Sequence, residues 1–286
     1  MDLDTRPLHP RFGLEILGLD LTRLDEATHA AILRLWERHP LLLSRRQLLD
    51  EQALIDFSRP FGKLEIIVRK DILSRQHPEI ALVTNLRDEA GQPLGGLGSY
   101  DLRWHTDQSY RLKPATGAVF YAIEVPPEGG NTWWSNTQLA CEALPEALRH
   151  ELEGYRGQFA YTMYDTDIQA DPAVKQLREQ TPDAVHPMVL THPTLGTQSL
   201  YVDPTQTYGI EGVPRARSEP LLKELKAHLV RGEFVYRHAW RMGDVMLWDN
   251  GRLLHRRDPF DAKLPRLMKR TTVFLDPKRF PVPNPA

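Results

Sequence analysis

Hydrophobic and polar positions follow helical spacing in only a few parts of this chain. Residues 26–38, EATHAAILRLWER, carry apolar side chains at near-helical intervals, and His39-Pro40 ends the pattern, which predicts a helix. The run PLLLSRRQ that follows predicts a short buried strand. Asp50 is a suitable N-cap for a second predicted helix, EQALIDFSRPFG, which ends near Pro60.

Beyond residue 78 the pattern changes to short apolar or β-branched runs separated by turn residues. The runs are EIALVTN, GAVFYAIEV, NTWWSN, GQFAYTMY, HPMVLTH, QSLYVD, EFVYRHAW, DVMLWDN and RTTVFLD. Such a series predicts an antiparallel sandwich or barrel. Two predicted helices interrupt it, LPEALRHELEG and SEPLLKELKAHLVRG, and we expect Ser218 to cap the second. Without an internal repeat or a long linker, we expect one mainly β domain with flanking helices over residues 1–286.

Composition narrows the classes of partner and compartment. A net charge of -2 and a pI near 6.6 give no general attraction to nucleic acid or to anionic membranes. The single cysteine, Cys141, has no partner for an internal disulfide, which fits a reducing cytoplasm, and we expect it to be a small buried hydrophobe. The N-terminus has no apolar run after a basic start, and no segment approaches ~18 uninterrupted apolar residues. We therefore expect a cytoplasmic protein.

The stretch RWHTDQSY suggests a metal site. On a strand, His105 and Asp107 would point to the same face and Thr106 would point away. A His-x-Asp triplet arises by accident on the order of once in a chain of this composition, so a third ligand is needed. His255, just after the turn in DVMLWDNGRLLH, is the best candidate. Two histidines and one carboxylate form the facial set of non-haem Fe(II), and the absence of cysteine ligands argues against structural zinc.

Two other stretches offer weaker chemistry. His77-Pro78-Glu79 precedes an apolar strand but has no comparable companion ligand. The loop GQPLGGLGSYDL holds several glycines, yet no helix follows them, so a dinucleotide-binding loop is disfavoured. Its position just before His105 makes it a candidate lid over the site.

Two arginines strengthen the metal interpretation. Arg266 and Arg270 lie 11 and 15 residues beyond His255, at the start of the run RTTVFLD. With extended backbone between them both can face one interior, where each guanidinium can hold an anion through a bidentate contact. The alternative is that they are surface charges in the basic run KLPRLMKR, and this stays open for Arg270 in particular.

The ordered motifs WHTD, GGNT, WDNGRLLH and RLMKRTTV resemble the Fe(II)/2-oxoglutarate-dependent dioxygenases of the taurine dioxygenase and 2,4-dichlorophenoxyacetate dioxygenase family. The resemblance spans about residues 10 to 275 and implies a double-stranded β-helix, or jelly roll. It implies that His105, Asp107 and His255 bind the iron and that Thr132 and Arg266 bind 2-oxoglutarate. Asn131 stands where the family commonly has aspartate. The implied cofactors are Fe(II), 2-oxoglutarate and O2.

The resemblance also implies the reaction. Decarboxylation of 2-oxoglutarate to succinate and CO2 would be coupled to hydroxylation of a C–H bond in a small anionic substrate, a carboxylate or sulfonate. Arg270 matches the arginine that often receives the substrate's anionic group. We expect Asp101 and Gln206 to line the substrate pocket, with Arg69, Lys70, Tyr161, Tyr164 and Tyr208 as further candidates. We also expect a homo-oligomer, a dimer or tetramer.

Two other functions use the same residues. A metal-dependent hydrolase could use the same three ligands with zinc, but Thr132 and Arg266 would then have no role, and 2-oxoglutarate would have no effect. A non-catalytic small-molecule binding protein of the same fold is the other alternative. Formation of succinate with Fe(II) in the absence of substrate would exclude this second alternative, because a non-catalytic protein forms no succinate.

Overall fold

The computed structural model describes residues 2–67, 69–96, 98–161, 179 and 181–284. The strands are β1 Thr5–Pro7, β2 Leu14–Ile16, β3 Leu41–Ser44, β4 Gly62–Leu64, β5 Ile80–Thr84, β6 Leu102–His105, β7 Gly117–Glu124, β8 Thr132–Asn136, β9 Arg156–Phe159, β10 Ala184–Pro187, β11 Val189–Thr191, β12 Gln198–Leu200, β13 Thr207–Ile210, β14 Val235–His238, β15 Val245–Asp249, β16 Leu253–Arg257 and β17 Leu267–Leu275. The α-helices are α1 Glu26–Arg38, α2 Glu51–Ser58, α3 Thr137–Glu142, α4 Glu146–Glu153 and α5 Arg215–Leu229.

Two sheets form the body of the fold, and they are antiparallel except where β2 pairs with β3 in parallel. The larger has the order β1-β2-β3-β15-β7-β17-β4, and β5 also pairs with β17. The smaller has the order β14-β8-β16-β6. Neighbours along both orders come from distant parts of the chain, as expected for a jelly roll, and the predicted mainly β jelly roll is confirmed. Two short sheets, β10-β9-β13 and β11-β12, lie beside them.

The central strands of the larger sheet are buried on both faces. In β7, Ala118 and Phe120 belong to the core between the sheets, whereas Val119 and Tyr121 belong to a second core under α1 and α2. This alternation follows from the two-residue period of a strand. It explains why GAVFYAIEV is a nearly continuous apolar run, since each face of the strand meets apolar neighbours.

The N-terminal helices match the sequence prediction. The Asp25 side chain accepts a hydrogen bond from the Thr28 N–H at the start of α1, and Asp50 accepts one from the Ala53 N–H at the start of α2. The predicted cap of α5 is wrong, because that helix begins after Pro214 and Ser218 lies within it, buried. Residues 215–217 are exposed and hold two arginines and one alanine, so apolar periodicity does not reveal the first turn.

One smaller prediction is also confirmed. Cys141 is buried and unpaired in the core between the sheets, as expected. The tail forms a strap over the surface, because Phe280 is buried against Trp36 and Asn284 donates to the Val185 carbonyl.

In the described residues, no helix combines the length and apolar character that a membrane span requires.

Candidate active site

Pairing of β6 with β16 brings the three predicted metal ligands together. His105 ends β6 and lies directly opposite His255 in β16, with the two rings 4.1 Å apart at their centroids. Asp107 follows in the turn after β6. Potential ligand atoms of His105, Asp107 and His255 all lie within 4.8 Å of one another. In the described part of the chain this is the single such cluster of three.

Hydrogen bonds and charges prepare these groups for a cation. The Nδ1 of His105 donates to the Arg103 carbonyl at 2.8 Å, which orients the ring and places a hydrogen on Nδ1. Burial lowers the pKa of His255 to about 3, helped by the neighbouring His105, so its imidazole is neutral at neutral pH. Burial acts to raise the pKa of Asp107, but Arg270 and the two histidines outweigh it and hold that pKa below its usual range.

Buried polar groups fix the turn that carries Asp107. Thr106 points away from the cluster, as predicted, and its hydroxyl donates to the Asn250 carbonyl at 2.8 Å. The carboxylate of Asp203, fully buried, accepts from the Thr106 N–H at 3.1 Å and from the Ser109 hydroxyl at 2.8 Å. Asn250 donates weakly to Asp107 at 3.4 Å. These contacts join segments about 100 residues apart or more, so no local pattern in the sequence could have revealed them.

The partner of Arg270 in the structure differs from the one expected. If an anionic substrate were its main partner, its charge would be buried without a partner until that substrate bound. That premise is wrong, because Nη1 of Arg270 donates to Oδ1 of Asp107 at 3.0 Å, and both side chains are mostly buried. The surface alternative is also wrong, since Arg270 lines the cavity beside the cluster. Its Nε has no hydrogen-bond partner among the described residues.

Arg266 is the buried cation that does lack a partner. Its side chain is 1% exposed, and neither Nε nor one terminal nitrogen, Nη1, has a hydrogen-bond partner among the described residues. Burial, together with the positive charge of the nearby Arg257, lowers the pKa of Arg266 to about 9. Thr132 lines the same cavity, and its hydroxyl oxygen accepts from the Trp240 indole N–H at 2.9 Å. Because indole only donates, the threonine hydroxyl hydrogen stays available for an acceptor.

A cavity of about 150 Å³ joins these groups. One wall is apolar and aromatic, built from Ile67, Ile72, Val83, Leu102, Tyr110 and Tyr161. Gln206 lines the cavity, as predicted, and its side-chain oxygen has no partner among the described residues. Arg69 and Tyr161 also reach it, whereas Tyr164 lies outside the described residues.

The predicted substrate role of Asp101 is wrong. Asp101 does not line the cavity; its side chain is 49% exposed and pairs with Arg256 at 3.6 Å. The physical reason is the alternation at the start of β6, where Leu102 faces the cavity and its neighbour therefore faces away. The rival pair His77 and Glu79 belongs to no metal-binding cluster of the described residues.

The residues present fit both groups that the sequence implied. Two imidazoles and a carboxylate are suitable donors for Fe(II), and all three residues line the cavity. A dicarboxylate that reaches this cluster would place its far end near Arg266, whose unpaired N–H groups need an acceptor. The Thr132 hydroxyl is directed to the same place.

Comparison with known proteins decides the family. The model of the family "Taurine catabolism dioxygenase TauD, TfdA family" matches residues 4–272. The chain belongs to this family. It is therefore a 2-oxoglutarate-dependent dioxygenase that uses Fe(II), 2-oxoglutarate and O2.

Relatives within the TauD/TfdA family cover nearly the whole chain. The alpha-ketoglutarate-dependent 2,4-dichlorophenoxyacetate dioxygenase of Cupriavidus pinatubonensis is 32% identical over 96% of this chain and 99% of its own. The (S)-phenoxypropionate/alpha-ketoglutarate-dioxygenase of Delftia acidovorans is 31% identical over 93% of both. The crystal structure of a taurine dioxygenase from Burkholderia xenovorans is 31% identical, with a TM-score of 0.79 over 96% of this chain and 92% of that one.

Proposed function

We propose that this dioxygenase hydroxylates a C–H bond of a small carboxylate or sulfonate substrate and releases succinate and CO2. The observation that carries the proposal is one cavity that combines the His105, Asp107 and His255 cluster with the buried, unpaired Arg266. Neither the hydrolase nor the binding protein accounts for an unpaired arginine in the same cavity as the cluster. The three residues of the cluster would hold the iron.

In this proposal, Arg266 and Thr132 hold the distal carboxylate of 2-oxoglutarate. An arginine that is 1% exposed forms strong, charge-assisted hydrogen bonds with a carboxylate. The carboxylate in turn replaces the interactions that burial has removed from the guanidinium. Bound iron supplies the O2 chemistry that couples decarboxylation of 2-oxoglutarate to oxidation of the substrate.

The substrate would lie between Arg270 and the apolar wall. Three arginines line the cavity besides Arg69, which is paired with Asp71, and Arg256, which is paired with Asp101 and Asp258. Asp107 is the one carboxylate among the lining residues. This imbalance favours an anionic substrate, and Arg270 is the cation next to the metal ligands. Leu102, Tyr110 and Tyr161 favour an apolar or aryl body. The relatives' names, with their phenoxyacetate and phenoxypropionate, describe molecules of that kind.

An anaerobic titration tests the site. Fe(II) added with 2-oxoglutarate should give the weak visible charge-transfer band of a chelated keto acid, and alanine at His105, Asp107 or His255 should abolish it. His77→Ala is the matched control, since His77 belongs to the rejected pair, and it should keep the band. Circular dichroism should show an intact fold in all variants. A band that persists in any of the three ligand variants contradicts the assignment.

A panel of anions then tests the substrate class. Succinate release with Fe(II) and O2 should rise above the basal rate for aryloxyalkanoates or organic sulfonates, and not for neutral analogues of equal size. Equal stimulation by the neutral analogues contradicts the proposed role of charge.

A further inference from the structure

A row of easily oxidised rings leads away from the metal cluster. The Trp248 ring lies 5.1 Å from the His255 ring, and Trp134 lies 5.8 Å from Trp248. Tyr236 is next, stacked on Trp134 with a centroid distance of 6.5 Å and an angle of 21° between the rings. Indole and phenol are among the most readily oxidised side chains of proteins, and successive rings are in contact here.

The indole of Trp134 lies in the core without a polar partner. Trp134 is 0% exposed, and its Nε1–H has no hydrogen-bond partner among the described residues. A buried donor without a partner is destabilising. Phenylalanine would fill much of this space without that cost, but its ring is far harder to oxidise.

The outer end of the row is built to accept a proton. The Asp244 carboxylate is paired with Arg45 at 2.9 Å and accepts from Nε2 of His238 at 2.9 Å. Nε2 therefore carries the hydrogen, and Nδ1 of His238 accepts from the Tyr236 hydroxyl at 2.9 Å. Burial raises the pKa of Tyr236 to about 12, so the phenol keeps its proton at neutral pH.

A surface hollow lies beside this end. Arg45 and Asp244 line it together with Glu15 and the exposed Arg6, Arg46 and Arg241, and its volume is about 360 Å³. Tyr236 is partly exposed. Four arginines against two carboxylates favour a small anion in the hollow.

We propose that Trp248, Trp134 and Tyr236 form an electron-transfer chain that protects the site when 2-oxoglutarate is decarboxylated with no substrate bound. The electrons come from an anionic enediol reductant of the ascorbate class at the hollow. The proposal rests on the proposed metal site and adds an activity to it. The electron-transfer chain acts in catalytic cycles in which 2-oxoglutarate is decarboxylated but no substrate is hydroxylated.

The electrons and atoms balance as follows. Decarboxylation of one 2-oxoglutarate places one oxygen atom of O2 in succinate, and the other atom needs two electrons and two protons to become water. Each electron passes from Tyr236 through Trp134 and Trp248, while the phenol proton moves to Nδ1 of His238. The reductant then returns an electron to Tyr236, and the proton moves back from His238. Two such cycles consume two electrons of reductant and two solvent protons.

The experiment uses the iron-loaded protein with 2-oxoglutarate and O2 but without substrate. Trp134→Phe and Tyr236→Phe interrupt the chain. Trp36→Phe is the matched control, because Trp36 is also 0% exposed with an unpartnered indole N–H but lies in the second core. Freeze-quench electron paramagnetic resonance detects radicals, peptide mass spectrometry locates oxidised side chains, and succinate counts turnovers before inactivation, with and without ascorbate.

We expect a tyrosyl radical in the wild type and in Trp36→Phe, and none at Tyr236 in the two chain variants. Oxidation should move to Trp248 or to other residues of the cavity in those variants. They should inactivate after several-fold fewer turnovers, and ascorbate should no longer prolong their activity. If Trp134→Phe does not fold, Tyr236→Phe carries the test, because it removes one partly exposed hydroxyl.

Equal radical yields, oxidation maps and turnover counts in all four proteins would overturn the chain. Absence of succinate from the wild type would instead overturn the proposed function, so the two failures are distinguishable.

Discussion

Arg266 shows how one buried side chain defines a co-substrate site. Its charge is 1% exposed and unpaired at two nitrogens, an arrangement that is unfavourable until an anion binds. Replacement by glutamine should weaken 2-oxoglutarate binding by about tenfold or more, from the loss of a charge-assisted contact of roughly 1.5–3 kcal/mol. Arg256→Gln is the control, since Arg256 lines the same cavity but is paired with Asp101 and Asp258. Unchanged 2-oxoglutarate affinity in an anaerobic titration of Arg266→Gln contradicts the role.

Arg270 requires a different prediction, because it has two roles to separate. Arg270→Gln should weaken binding of an anionic substrate by roughly 2–5 kcal/mol, and binding of 2-oxoglutarate much less. The same change removes the partner of Asp107, so Fe(II) affinity must be measured in parallel. A variant that keeps full substrate affinity, or that loses substrate and 2-oxoglutarate equally, places Arg270 in the scaffold or the co-substrate site.

Local spacing predicted the cluster, but not its surroundings. His105 and Asp107 share a face because they are two residues apart, and that relation is readable from any strand. Asp203 and Asn250 reach the turn of Asp107 only through the tertiary fold, so their roles were invisible. The error at Arg270 has the same origin, since its carboxylate partner lies 163 positions away.

At the scale of elements, the strap over residues 280–284 is the part whose contribution is easiest to measure. Phe280 is 1% exposed and packs edge-on against Trp36, with ring centroids 5.6 Å apart. Phe280→Ala should lower the free energy of unfolding by about 3–5 kcal/mol, as truncation of a buried aromatic does. Leu48→Ala, with a side chain that is 89% exposed, should change it by less than about 0.5 kcal/mol. Urea unfolding of both variants checks the difference, and equal midpoints would mean that the tail is not docked.

Elements with one apolar face or a side-chain cap were predictable, and short edge elements were not. Asp25 and Asp50 cap their helices through contacts of three residues, which a sequence shows directly. Strands β1, β2 and β4 have three residues each and exist because a neighbouring strand pairs with them. Nothing in three residues distinguishes such a strand from a loop.

At the scale of the whole molecule, buried histidines make stability depend on pH. His192 is 1% exposed; its Nε2 donates to the Glu37 carbonyl at 3.0 Å, and burial lowers its pKa to about 4. The unfolded chain binds the proton near pH 6.5, so the unfolded state gains protons first as the pH falls. The stability that neutral His192 contributes is present above about pH 6.5 and is lost progressively toward pH 4.

Removal of His192 should flatten this dependence. Between pH 6.5 and 4.5 the free energy of unfolding of the wild type should fall, and His192→Gln should fall by about 1–3 kcal/mol less. Urea denaturation at a series of pH values measures both slopes. His9→Gln is the control, because His9 lies near the surface and partly exposed. Parallel curves for wild type and His192→Gln would show that His192 is not protonated on unfolding.

The family match covers residues 4–272, and one domain over the full chain stays a prediction, as does the homo-oligomer. The antiparallel pairs of β7 with β15 and β17 join positions more than 100 residues apart, so the central sheet cannot form from either half alone. That topology supports one cooperative unit.

The contact between Arg270 and Asp107 has a thermodynamic consequence for the whole catalytic cycle. The guanidinium of Arg270 donates a hydrogen bond to the proposed metal ligand Asp107 at 3.0 Å, and it also lines the substrate cavity. An anionic substrate that binds Arg270 weakens the contact between Arg270 and Asp107. A cation bound to Asp107 likewise changes how strongly Arg270 can bind the anion. Linkage then requires that substrate alter the affinity for metal by the same factor by which metal alters the affinity for substrate. Order of binding and affinity are thus set by a single ion pair.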